Sequence, residues 1–332
     1  MSQSSRCPFC ARGESTDPLD VAEMMFGWDE TFAYVTCPEC GTVWLPEVPD
    51  DLGRYYPQDY YSVDTDPEHA LGRPGVRQFA SAVARSVLFG SSRLASTARR
   101  AVRMRQFHSY VTVLEGIAAA GMPKGKQTRV LDVGCGSGIM IYALALAGVR
   151  APMGVDPFAP ADRTFDNGAL LVRRELDDVE GTFDLIMFHH SLEHVPDPAA
   201  SLRSALAKLA PGGRILARMP TVSSEAYETY GAAYYGLDAP RHITIPSRAG
   251  VEALAERVGL RVVTTRDDST SAQFWASEQV RRGIALMAPT SHMVSESASP
   301  FTKAEIAGWS ERARELNETA RGDQSAWVLE RA

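Results

Sequence analysis

Four cysteines stand in two close pairs, Cys7-Pro8-Phe9-Cys10 and Cys37-Pro38-Glu39-Cys40, with 26 residues between Cys10 and Cys37. Two such knuckles bring four thiolates within tetrahedral reach of one ion. A shell of four sulfurs is closed, with no open coordination position, so the pattern fits a structural Zn2+ bound by Cys7, Cys10, Cys37 and Cys40. A thioredoxin-type redox motif would instead stand singly at a helix start in a βαβ unit, and neither pair does. The fifth cysteine, Cys135, lies inside a glycine loop and reads as a small packing residue.

That loop is the second chemical feature. Val130-Leu131-Asp132-Val133 is an apolar run that breaks into Gly134-Cys135-Gly136-Ser137-Gly138, after which Ile139, Ala143 and Leu146 recur at helical spacing. Strand, glycine turn and helix form the ligand-binding opening of a doubly wound sheet. Further on, Gly154-Val155-Asp156 closes a second strand with an acid that can accept from both hydroxyls of a ribose. The spacing is G-x-G-x-G and not the dinucleotide G-x-G-x-x-G. Asp132 also suits a cationic ligand better than a pyrophosphate, and S-adenosylmethionine carries a sulfonium and an amino group.

The third feature is a run of titratable groups. Phe183 to Phe188 reads as a buried strand that leads into His189-His190-Ser191-Leu192-Glu193-His194. Ligands of such sheets sit at the carboxyl ends of the strands, so this loop faces the crevice. His194 is a candidate general base. Residues 220–246 form an insertion before the last αβ unit, placed to overhang the crevice as an acceptor lid. It offers His242 as a second candidate base, Arg241 for an anionic group on the acceptor, and Tyr234 and Tyr235 as acceptor contacts. The tyrosines read equally well as a packed aromatic lid.

Taken in order, Val130 to Gly138, Gly154 to Asp156, Phe183 to Ile186, Leu192-Glu193-His194-Val195-Pro196-Asp197-Pro198 and Leu209-Ala210-Pro211-Gly212-Gly213 resemble class I S-adenosylmethionine-dependent methyltransferases over roughly residues 110–266. The paired cysteines, the Tyr55-Tyr56-Pro57-Gln58-Asp59-Tyr60-Tyr61 segment and Asp238-Ala239-Pro240-Arg241-His242 resemble a bacterial subgroup that tailors sugars, polysaccharides or secondary metabolites. The resemblance implies that Gly134, Gly136 and Gly138 line the methionine and ribose side of the cofactor. It implies that Asp132 serves the amino group and Asp156 the ribose, with Glu175 and Leu176 near adenine and His189 beside the cofactor. The acids of Arg173-Arg174-Glu175-Leu176-Asp177-Asp178 leave that adenine register open.

The elements that position these groups follow from composition and patterning. With 332 residues, 45% of them hydrophobic, the chain can bury a real core. The expected fold is α/β: a doubly wound, Rossmann-like seven-stranded sheet with a small zinc ribbon and helical extensions. Its divisions are a ribbon over 1–62, a basic helical connector over 63–114, a methyltransferase domain over 115–280 and a helical extension over 281–332. In the ribbon, Phe32 to Thr36 and Thr42 to Leu45 read as paired strands. Asp197 and Pro198 read as the N-cap and first residue of a helix, Ser271 to Trp275 as the final antiparallel strand, and the tail as helical.

Charge narrows the partners. A net charge of −7 disfavours nucleic acid, yet residues 69–114 hold eight arginines and no acid. That connector reads as a solvated helical face, or as a surface for a phosphate-bearing acceptor or a lipid headgroup. No run of 18 apolar residues and no apolar N-terminal stretch occur, which reads as a cytoplasmic protein. The expected partner is a small-molecule or carbohydrate-like acceptor. The rivals are a protein or nucleic-acid methyltransferase that grips its target with the ribbon, and a non-catalytic cofactor-binding subunit.

Overall fold

The ribbon is built from β1 (Leu19–Ala22), β2 (Thr31–Thr36) and β3 (Val43–Trp44), paired antiparallel in that order. In the computed structural model, residues 6–12, 18–57, 66–89, 114–118 and 128–332 are described. The arginines at 93, 99, 100, 103 and 105 of the expected connector, and Tyr60 and Tyr61, lie outside these.

The main sheet grows from short apolar runs. Its parallel strands are β4 (Val130–Val133), β5 (Met153–Val155), β7 (Leu170–Val172), β8 (Phe183–His189) and β9 (Leu209–Pro220). A two-residue strand, β6 (Arg163–Thr164), edges β7. On the other side β12 (Gln324–Arg331) runs antiparallel between β9 and β11 (Leu260–Asp267). The order is β11-β12-β9-β8-β4-β5-β7-β6, the expected seven-stranded doubly wound sheet plus the short edge strand.

Alternation along the strands sorts the core into two layers. Val130, Leu185, Met187, Leu216 and Val328 face α2 (Pro74–Phe89) and α3 (Ile139–Ala147). Leu131, Ile186, Phe188, Ile215, Ala217 and Trp327 face the opposite layer, with α4 (Pro198–Ala207) and α6 (Arg248–Arg257). The face of α2 that is buried is Ala80, Val83, Ala84 and Val87, while Phe79 is 41% exposed. Asp197 caps α4 as expected, its Oδ1 accepting from Ala200 N at 2.9 Å, with Pro198 at the first turn.

Two expectations for the C-terminal part are corrected. Residues 272–275 belong to a helix, α7 (Ala272–Arg281), whose Phe274, Ala276, Ser277 and Gln279 are all buried. Burial on successive sides of a helix leaves an apolar stretch without period, which reads as a strand. The final strand is instead β12. The region 281–332 is therefore a helix, α8 (Lys303–Glu318), followed by an interior strand of the sheet, and not a helical appendage.

The ribbon does not stand apart. Its fourth strand is β10 (Thr244–Ile245), contributed by the insertion and paired with β3. Cys7, Phe9, Val35 and Trp44 pack into the same layer as α4 and α6. Arg257 donates to Pro8 O at 3.0 Å and to Phe9 O, and Ser247 Oγ donates to Cys40 O.

Candidate active site and cysteine cluster

The glycine loop leaves β4 with Gly134, Gly136 and Gly138 at φ of 70°, 52° and 81°, backbone that L side chains rarely adopt. A Cβ at Gly134 would also lie 2.6 Å from the Cβ of Ser191, so only glycine lets the loop lie against the segment after β8. Ser191 Oγ locks that contact by donating to Val133 O at 2.6 Å. Cys135 fills the space above Gly154, where a Cβ would meet its Sγ at 2.6 Å, and burial pushes its thiol up. It is a packing residue.

Asp132 is 2% exposed, and among the described residues its Oδ1 has no hydrogen-bond partner. Burial, and then the charge of Asp156, hold its carboxyl at about 8. Asp156 is well partnered: Oδ2 accepts from Gly136 N and Oδ1 from Phe158 N, each at 2.9 Å. Its carboxylate therefore shapes the glycine loop and retains acceptor capacity. Glu175 is exposed at the start of a 3-10 turn (Leu176–Asp178) after β7, and Leu176 packs partly buried against the core.

The histidines gather where β8 ends. His190 adopts φ of 52°, a strained conformation for a side-chain-bearing residue, with its N–H bonded to Arg218 O. Arg218, on β9, forks onto Asp268 at 2.6 and 2.9 Å and also donates to His190 Nε2. His190 must then carry its hydrogen on Nδ1, which donates to Glu193 Oε1 at 3.1 Å. His189 stacks edge-on to His190, with Nε2 3.4 Å from Arg218. Burial, followed by the charge of Arg218, lowers the pKa of both rings well below the usual value, so both are neutral.

The lid meets this loop directly. Ile243 N donates to Glu193 O at 2.8 Å, and the rings of His194 and His242 lie 4.8 Å apart at 67°. His194 Nδ1 is 2.8 Å from Arg241 O, and His242 Nδ1 is 2.8 Å from Gly236 O. A carbonyl only accepts, so each Nδ1 carries a hydrogen, and Nε2 is the ring nitrogen left for other chemistry. Tyr56 Oη, from the ribbon side, lies 3.1 Å from His194 Nδ1. Asp238 Oδ2 is 3.9 Å from His242 Nε2. Burial, then His242, lowers the pKa of His194. Two histidines 48 residues apart in sequence, each a separate candidate base, thus lie side by side.

The acceptor-side residues fall differently. Arg241 is fully buried, paired with Glu23 at 2.7 Å and with Asp238 at 2.7 Å, and donates to Tyr55 O at 3.3 Å. Glu23 in turn caps a turn of the ribbon by accepting from the backbone N–H groups of Met25, Phe26, Gly27 and Trp28. The anion that Arg241 holds is internal, which removes the reason to assign it to an acceptor. Tyr234 is also buried, donating to Asp323 O at 3.2 Å, and belongs to a packed aromatic lid. Tyr235 is half-buried next to it and accepts from Gln324 at 3.3 Å. The Asp268–Arg218 fork was not foreseen beside the histidines, because only tertiary contact brings it there.

The four cysteine sulfurs converge. Cys7 and Cys40 are 3.7 Å apart, Cys10 and Cys37 3.5 Å, and all four lie within 4.8 Å of one another. A tetrahedron of sulfurs about 2.3 Å from a central ion has edges of about 3.8 Å, so the set fits Zn2+.

A family model described as a methyltransferase domain matches residues 99–265, half of the chain. The chain belongs to this family. A ubiquinone biosynthesis O-methyltransferase of Pseudomonas aeruginosa is 32% identical over 118 residues, 32% of this chain and 51% of that protein. One from Sodalis glossinidius is 34% identical over 97 residues, 26% of this chain and 39% of that protein. The chain thus spans about half the length, or less, of these curated relatives. A solved S-adenosylmethionine-dependent methyltransferase from Mesorhizobium loti is 18% identical with a TM-score of 0.42, covering 68% of this chain and 100% of that one.

Proposed function

We propose that this methyltransferase-family protein moves a methyl group from S-adenosylmethionine to a small-molecule or carbohydrate-like acceptor, with a structural Zn2+ in its ribbon. The observation that carries the cofactor is Asp132: a buried carboxyl with an orphaned oxygen at the mouth of a positive-φ glycine loop. An orphaned buried acceptor is costly, and a ligand ammonium would satisfy it. Asp132 and Asp156 would hold the cofactor's ammonium and ribose, the latter across the loop it already shapes. When bound, the cofactor supplies an electrophilic methyl carbon.

The chain's own task is then to align the acceptor, exclude water and take a proton. The His194–His242 pair serves the last, with both Nε2 lone pairs available and Asp238 3.9 Å from His242 to stabilise the imidazolium. Tyr56 borders His194, while Arg241 holds the lid from beneath. The closed sulfur shell gives zinc no catalytic position.

Calorimetry tests the assignment. S-adenosylmethionine should bind the wild-type protein, and Asp156→Ala should weaken binding about 10- to 100-fold, the loss of one or two hydrogen bonds to a charged group. Absence of heat with wild-type protein, or equal binding by the variant, would refute it.

A further inference from the structure

Glu193 is fully buried, and among the described residues its Oε2 has no hydrogen-bond partner. Oε1 is held at 3.1 Å by the Nδ1–H of His190, so the carboxylate is fixed in place with its free oxygen committed to nothing. One ligand atom each from Glu193, His194 and His242 lies within 4.8 Å of the others. Both histidines donate Nδ1–H to backbone carbonyls, Arg241 O and Gly236 O. That outer-shell arrangement sets the tautomer and aim of imidazoles that ligate metals through Nε2. The Asp268–Arg218–His190 chain does the same for the carboxylate.

We propose that Glu193, His194 and His242 form a second metal site, which takes one divalent first-row transition ion and keeps an open position for an oxygen of the acceptor. Two imidazoles and one carboxylate make the donor set of catalytic zinc and non-haem iron centres, which leave coordination positions open. Ligand atoms about 2.1 Å from one ion stand about 3–3.5 Å apart, so binding requires a modest closing of the three side chains. The placement of the ion's open position rests on the histidine pair marking the acceptor side, as proposed above. With the ion bound, the two imidazoles serve as ligands and not as proton acceptors.

Metal content of the full chain decides the matter. Zn2+, Mn2+ and Co2+ are titrated into protein stripped with a mild chelator, and bound metal is counted per chain by mass spectrometry. Two equivalents are expected, one resistant to the chelator and one exchangeable. Added Co2+ should give only the weaker bands of nitrogen and oxygen ligands and no thiolate charge-transfer band, because the sulfur site keeps the ion it already holds. Glu193→Gln and His242→Gln should each keep the sulfur-bound ion and lose the other. A single equivalent in wild-type protein, as a proton shared between the imidazoles and Glu193 would give, overturns the site, as do two equivalents in both variants. The Co2+ spectrum of the wild type stands as a test even if a variant does not fold. Heat of S-adenosylmethionine binding on the same samples separates failure of the cofactor reading from failure of this site.

Discussion

Asp132 and the histidine pair owe their properties to what surrounds them. A carboxyl raised to about 8 in the folded protein, against 3.8 when exposed, takes up a proton on folding at intermediate pH. Stability of the cofactor-free protein should therefore fall as pH rises from about 4 to about 8 and level off above, since the unfolded chain loses this proton first. Asp132→Asn should flatten that slope in denaturant titrations and weaken S-adenosylmethionine binding. At pH 7, binding of the wild type should release close to one proton, visible as a dependence of calorimetric heat on the buffer's ionisation enthalpy. His194 is shifted the opposite way, so it stays neutral below the usual imidazole range. The acid limb of the rate profile should lie below about 6.5. Alanine at His194 or His242 should each cost about 100- to 10,000-fold in kcat, measured with any acceptor that turns over. Residues whose partners lie within one strand–turn–helix, such as Asp132 and the three glycines, were legible in the sequence. Arg241 was not, because the carboxylate that claims it, Glu23, is 218 positions away. A buried ion pair and an exposed anion site use the same residue type.

Among the elements, β12 carries the sharpest lesson. It supplies Trp327, 1% exposed, and pairs on both sides, with β9 and with β11. Strands and helices with a clean period, such as β4, β8 and α4, were readable with boundaries close to those observed. The end of the chain was not, since the apolar core of β12 is only Ala326 to Leu329 and its pairing partners are fixed by topology. Removing residues 323–332 should leave β9 and β11 with an unpaired gap and expose an apolar layer. The truncated protein should be insoluble or lack cooperative melting, whereas a helical appendage could be deleted without loss. A soluble truncated protein with a wild-type melt would contradict the topology.

At the scale of the molecule, the cysteine-bearing ribbon, the lid and the sheet are joined through Arg241 and the contacts around the cysteine cluster. Arg241→Ala leaves Glu23 and Asp238 buried without their cation, which should cost about 3–5 kcal/mol in a denaturant melt. Arg241→Lys should recover only part, because an ammonium cannot reproduce the fork. If the cysteine cluster holds Zn2+ as proposed, Cys37→Ser should lose that ion, counted per chain, and lower the melting temperature of the whole protein. Ser247 and Arg257 transmit the ribbon's collapse to α6. A separate domain would instead unfold in its own transition. Cysteine knuckles followed by a glycine loop marked two chemically different regions in the sequence. Their fusion was not, since nothing local to 244–245 marks it as a ribbon strand.

That two-residue strand has a consequence for anyone who would rebuild this enzyme. Thr244 and Ile245 stand two and three residues after His242, so the segment that presents a candidate base is hydrogen-bonded into the edge of the N-terminal module. The module cannot be transplanted as a cassette cut near residue 62. A chimera that exchanges the ribbon must exchange the lid with it, and homologous recombination that separates the two should yield proteins that bind cofactor but have lost their hold on the acceptor.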